Sequence, residues 1–210
     1  MNELSAYYGA KVSVKKSFSK TIFDGEEESF YRISLQCKDL KNYNPSVDIP
    51  ASYCAWTCYS QLPESDRKLY NKYTVQFPFD NQQKSIDYTS DDLALVMQAK
   101  PQLDSVFAYY VRADYQSLED KFIPEVKKDK RLPQFRKAIQ NYDINYGRTT
   151  DMKIRGFQFM RFSQDSTSEF SERLVRFRVL QMREKKNLYT YVTVTTHTLN
   201  GFIVAIDAKE

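Results

Sequence analysis

The sequence predicts an α+β protein in two parts. The first is a small ββαβ domain at residues 1–80, followed by a linker at 81–92. The second, at 93–210, packs three helices on a curved four-stranded antiparallel sheet. Three observations carry this. Apolar residues recur mostly at intervals of three and four along two stretches, Leu93 to Val111 and Phe135 to Tyr146. From Met152 to Ala208 the period drops to two. In the first 80 residues both periods occur in short pieces between turn residues. A period near 3.6 marks one helical face and a period of two marks one strand face.

In chain order, Val12-Ser13-Val14-Lys15 alternates as a strand. Asp24-Gly25 is a hairpin signal, widened by Glu26-Glu27-Glu28. Tyr31, Ile33 and Leu35 alternate with Arg32, Ser34 and Gln36 as a second strand. Leu40 to Val47 reads as a polar loop. Asp48 is placed to cap a helix with Pro50 in its first turn. That helix carries Ala51, Cys54, Ala55, Cys58 and Leu62 on its apolar stripe, and Pro63 stops it. Tyr73, Val75, Phe77 and Phe79 alternate as a third strand, and Asp80 to Asp92 reads as a polar connector.

The second part opens with a helix bearing Leu93, Val96, Met97, Leu103, Phe107, Tyr110 and Val111 on one face. Pro101 either kinks it or starts it afresh, because proline lacks the backbone donor and disfavours helical geometry at Lys100. Asp114 is placed to cap a short helix from Tyr115 to Phe122. Pro124 and Lys127-Lys128-Asp129-Lys130-Arg131 form a connector. A third helix starts near Pro133, with Phe135, Ala138, Ile139, Tyr142 and Tyr146 on one face and Gly147 at its left-handed C-cap. Strands follow at Met152 to Arg161, Leu174 to Met182, Leu188 to Thr196 and Phe202 to Ala208. Glu184 to Asn187 and Leu199-Asn200-Gly201 read as hairpin turns. Short turns imply a meander, one face of which the helices must cover.

The passage Asp114-Tyr115-x-x-Leu118 after a helix, and Tyr146-Gly147 leading into Lys153-Ile154-Arg155-Gly156-Phe157, resembles the nuclear transport factor 2-like (cystatin-related) superfamily. The resemblance spans roughly the last 120 residues. It implies a conical cavity between helices and sheet. Members include small-molecule isomerases and dehydratases as well as binding and assembly domains, so the resemblance implies no reaction.

Composition narrows the function classes. Sixteen tyrosines and fourteen phenylalanines argue for packed aromatic surfaces, and 41% hydrophobic residues argue against disorder. Five glycines leave no glycine-rich phosphate loop. A net charge of +4 permits an acidic partner without demanding one. Three cysteines argue against a disulfide framework. No run is long and apolar enough to span a bilayer, and Met1-Asn2-Glu3-Leu4 opens no signal peptide. Two locations stay open: cytoplasmic, or exported or anchored with its leader removed.

The candidate pocket is Phe107, Tyr110, Tyr142 and Tyr146, four aromatics on helices that should cover the sheet. No catalytic residue, metal or cofactor is expected. Cys54 and Cys58 read as small core residues rather than metal ligands, as does Cys37. His197, the single histidine, reads as a solvated residue beside a turn. Asp114 reads as a cap, Asp143 as the polar face of the third helix and Asp151 as a loop residue. Lys127, Lys128, Lys130, Arg131, Arg136 and Lys137 read as a solvated connector and helix start. Arg173, Arg176 and Arg178 read as an exposed sheet face balanced by Glu169 and Glu172. The leading expectation is a non-enzymatic binding or assembly protein for an unknown protein or small ligand. The alternative is an isomerase- or dehydratase-like enzyme using a pocket carboxylate or tyrosine. A weak nucleic-acid binder is the third reading, since the charge gives no strong nucleic-acid signal. A homodimer through the sheet face is compatible with the pattern.

Overall fold

The structure, a computed structural model, describes residues 11–16, 21–23, 26–36, 47–79, 82–128, 132–163, 171–196 and 201–209. It is α+β and divides into two compact units, Met1–Met97 and Gln98–Glu210.

The first unit holds β1 (Lys11–Lys16), β2 (Thr21–Phe23), β3 (Glu26–Glu28), β4 (Phe30–Gln36), α1 (Asp48–Gln61), α2 (Glu64–Arg67), β5 (Lys72–Phe79) and β6 (Gln82–Thr89). β2 and β3 pair antiparallel, and the hairpin signal Asp24-Gly25 lies outside the described residues. The main sheet has the order β1-β4-β5-β6. β4 and β5 are parallel, joined by the α1 crossover, and the two outer pairs are antiparallel. Tyr31, Ile33 and Leu35 alternate inward on β4, and Tyr73, Val75 and Phe77 do so on β5. α1 packs on β4, β5 and β6.

Three expectations need correction here. Residues 82–92 are not a loop. Gln82–Thr89 is an edge strand, and Thr89 and Asp92 then exchange hydrogen bonds at the start of the next helix (3.0 and 3.1 Å). An edge strand wet on most of its surface carries little apolar alternation, and Ile86-x-Tyr88 was the only trace. Asp48 does not cap α1. It is the first helical residue, and Val47 before it makes no side-chain cap. The α1 stripe is wider than expected, with Ile49 to Ala55 and Thr57 to Tyr59 all buried.

Helix α3 (Ser90–Arg112) runs through Pro101 without a break, so the helix does not start afresh there. Its buried residues are Leu93, Val96, Ala99, Gln102, Leu103, Val106 and Tyr110. Val111 is 46% exposed, a correction, and Phe107 is half-buried. The stripe passes through Val106, a hundred degrees from Phe107 on a helical wheel.

The second unit continues with α4 (Tyr115–Glu119), α5 (Pro124–Lys127), α6 (Leu132–Tyr146), β7 (Thr149–Ser163), β8 (Ser171–Arg183), β9 (Leu188–Val194) and β10 (Ile203–Lys209). The strands form an antiparallel meander in the order β10-β9-β8-β7. Asp114 caps α4, accepting from the Ser117 backbone N–H at 3.1 Å. Gly147 ends α6 at φ +78°, and a Cβ there would stand 2.7 Å from Glu184 Cβ. Gly201 sits at φ +115° against the Lys121–Phe122 backbone; a Cβ would meet the Phe122 carbonyl oxygen at 2.4 Å. That close approach lets Phe202 and Ile203 N–H donate to the Lys121 carbonyl (2.8 and 2.9 Å). Among the described residues, no helix is long and apolar enough to cross a membrane.

Candidate functional site

Side chains on β8 alternate from Val175 to Arg183. Val175, Phe177, Val179, Gln181 and Arg183 are buried in one phase, while Arg176 and Arg178 occupy the other. The inward phase meets the helices. At its end the apolar run gives way to Gln181 and Arg183, two polar residues at core positions. Such a switch marks a site, because polar groups are buried only with partners.

Arg183 has every opportunity to pair. Its Nε donates to the Gly147 carbonyl (2.8 Å), and its Nη1 donates to Thr149 Oγ1 (3.1 Å) and Gln181 Oε1 (2.8 Å). Its Nη2 donates to Asp143 Oδ1, forming an ion pair whose guanidinium side chain is 1% exposed. The Tyr115 hydroxyl donates to the other oxygen of Asp143. Gln181 is also the hydrogen-bond partner of the Tyr110 hydroxyl. Burial, and next Tyr115, raise the Tyr110 phenol pKa well above its ordinary value. Burial, then the hydrogen bond to Asp143, raise that of Tyr115. Both phenols therefore stay protonated and act as donors or neutral acceptors.

This network floors a cavity of about 160 Å³. Its walls are Phe135, Ala138, Ile139 and Tyr142 of α6, Tyr110 of α3, Leu188 of β9 and Ile206 of β10, with Gln181 and Arg183 beneath. Ala138 is exposed yet lines the space, so the cavity meets solvent along α6. Phe122 and Phe135 pack edge to face at 5.1 Å, bracing one wall.

Of the four candidate residues, Tyr110 and Tyr142 line the cavity; Phe107 and Tyr146 do not. Tyr146 stacks on Tyr142 (5.8 Å, 28°) and lies under the Lys186 ammonium at 5.6 Å, one turn past the cavity. Asp143 is not a solvated helix face, which corrects the sequence reading; Arg183 and Tyr115 draw it inward. Asp151 lies in β7 and not in a loop, with Lys153 Nζ at 3.8 Å. Gln181 and Arg183 were missed, although their phase with Val175, Phe177 and Val179 was legible.

Elsewhere, Cys54 and Cys58 are buried thiols without a disulfide, and burial pushes the Cys58 thiol up to about 11. Among the described residues no three His, Cys, Asp or Glu side chains cluster as metal ligands. Cys37, His197, Lys130, Arg131 and Glu169 lie outside the described residues. Arg136 pairs with Glu119 and donates to Gln116 Oε1 (2.5 Å), so it serves the helix packing of this unit. Comparison with protein-family models, curated proteins and solved structures finds no match to this chain.

Proposed function

We propose that residues 93–210 form a nuclear transport factor 2-like binding domain whose cavity takes a small, largely apolar, uncharged molecule. One observation carries the reading. The cavity walls are apolar and aromatic, and the one cation in its floor is already neutralised by Asp143. A charged ligand would have to displace that ion pair from a buried setting, where an unpaired charge costs several kcal/mol. A neutral ligand meets Tyr110, Gln181 and Tyr142 as hydrogen-bonding groups without that cost. The volume suits a single aromatic ring, since a cavity of about 150 Å³ holds benzene.

The order of helices followed by a meander supports the family assignment. A second reading, an isomerase- or dehydratase-like enzyme, would need a group free to exchange a proton with the ligand. Both oxygens of Asp143 are engaged, by Arg183 and by Tyr115, which favours binding over acid–base work.

The test is ligand-dependent stability. Benzyl alcohol and benzamide should raise the unfolding temperature, and benzoate should not. At a hundredfold excess over Kd the stabilisation is about 2.7 kcal/mol. Ile139→Trp, which fills the cavity, should abolish the shift. A benzoate shift equal to that of benzamide would sink the neutral-ligand reading, and no shift with any of them would sink the binding site.

A further inference from the structure

The opposite face of the same sheet carries a different chemistry. On β8, Arg176 and Arg178 point away from the cavity phase. Each guanidinium lies over a tyrosine ring of β9: Arg176 over Tyr191 at 4.6 Å and Arg178 over Tyr189 at 4.2 Å from the centroid. Arg176 also pairs with Asp207 at 3.0 Å. Arg178 makes no hydrogen bond or ion pair with any described residue, and its Nε is buried without an acceptor. Its β7 partner in register is Gly156, which follows a bulge at Arg155. Gln158 stands opposite Arg176, Lys153 opposite Leu180 and exposed Met160 opposite Leu174 on the same face.

We propose that this Arg–Tyr face is a binding surface for single-stranded nucleic acid. Charge sign is the first argument. The basic excess of the whole chain lies in residues 98–210, while residues 1–97 carry more acids than bases. Geometry is the second. Arg176 and Arg178 are two residues apart on one strand, about 7 Å by strand rise, a spacing suited to successive phosphates of an extended strand. A guanidinium held over a tyrosine ring leaves its far side for stacking on a base, and at Arg178 the Nη donors, rather than the buried Nε, can bond a phosphate. An acidic peptide would use the charge but not the stacked planes, so the aromatic backing favours a nucleic acid. The surface works without base-edge readout and should show little sequence preference.

The experiment uses the full chain and a fluorescently labelled oligo-uridine, with anisotropy read across a salt series. Binding is expected to weaken steeply with salt. Arg178→Gln should weaken it at least fivefold and shallow the log–log salt slope by about 0.7, the contribution of one single-strand phosphate contact. Arg178→Lys keeps the charge and loses the planar stack, so affinity should fall while the slope holds. Tyr189→Leu should weaken binding by removing the backing ring. Circular dichroism and unfolding midpoints check that each variant is folded. The proposal is overturned if wild type does not bind, if Arg178→Gln binds with unaltered affinity and slope, or if polyglutamate competes as well as unlabelled oligo-uridine. Failure of the cavity ligands leaves this test intact, since the two faces share no tested side chain.

Discussion

Tyrosine does opposite work in the two units. In residues 1–97, Tyr31, Tyr59, Tyr70 and Tyr73 are all buried and pack ring against ring. Tyr31–Tyr70, Tyr59–Tyr73 and Tyr31–Tyr73 centroids are 5.1, 5.3 and 5.4 Å apart. The Tyr73 hydroxyl in that cluster is buried with no hydrogen-bond partner. In residues 98–210, Tyr110 is equally buried, but its hydroxyl is held by Gln181 in a polar floor, and space is left above it. The first arrangement is filled mainly by ring-on-ring contact, with the Arg67 guanidinium over Tyr59 at 5.1 Å. The second spends core positions on an arginine, a glutamine and an aspartate, which fix the rings' surroundings and keep the cavity from closing. Aromatic content alone therefore does not separate a filled core from one with a cavity; the polar residues at core phase do.

The sharpest way to break this comparison is to unpair the floor. Asp143→Ala strands the Arg183 cation and should cost about 3–5 kcal/mol in urea unfolding of the full chain, the usual penalty for breaking a buried pair. Asp143→Ala with Arg183→Met should recover most of that loss. If the single variant costs under about 1 kcal/mol, on the scale of an exposed pair, the ion pair does not hold the floor.

The next test sets the two tyrosine environments against each other. Tyr73→Phe removes an unpartnered buried hydroxyl and should stabilise the chain, since leaving such a group unpaired costs about 1–3 kcal/mol. Tyr110→Phe removes a bonded hydroxyl and should destabilise by about 0.5–1.5 kcal/mol. Equal signs in thermal unfolding would erase the distinction.

A pH series probes the first unit. Burial, followed by Cys58 and Tyr70, pushes Tyr31 up to about 12 from an ordinary 10.0; burial pushes Cys58 up to about 11 from 9.0. In both groups the folded chain holds the proton more tightly than the unfolded chain. Their contribution is fully present below pH 9 and is lost as pH rises through about 11 and then about 12. Tyrosinate absorbance and unfolding midpoints, followed together, should show ionisation of Tyr31 lagging behind that of exposed phenols. Ionisation at the ordinary value would mean the cluster is open to water.

The smallest effect belongs to Tyr142. Its ring lines the cavity, yet its hydroxyl has no hydrogen bond to a described residue. Tyr142→Phe should change stability by less than about 0.5 kcal/mol, as substitutions that break no contact do. It should weaken benzamide more than benzene. A loss of a full hydrogen bond in stability would show that the hydroxyl is structural.

Much of this fold was legible because it rests on local periodicity. The α3 and α6 stripes, the Asp114 cap, the Gly147 C-cap and the four-strand meander all follow from spacing, since a helix or a strand must present one face to apolar neighbours. Phase also pointed Tyr110 and Tyr142 toward the sheet. Other features depend on residues far apart in sequence. The pairing of Asp143 with Arg183, forty positions apart, exists only once α6 lies on the end of β8. The Gln82–Thr89 strand is recognisable only beside β5, because backbone pairing, not side-chain burial, defines an edge. The sheet's two-faced character needed the β8–β9 register, which lays Arg176 and Arg178 over Tyr191 and Tyr189. Periodicity fixes which way a side chain points; only the packed chain decides what it meets there, because burial, charge pairing and ring contact are set by neighbours that the sequence does not list in order.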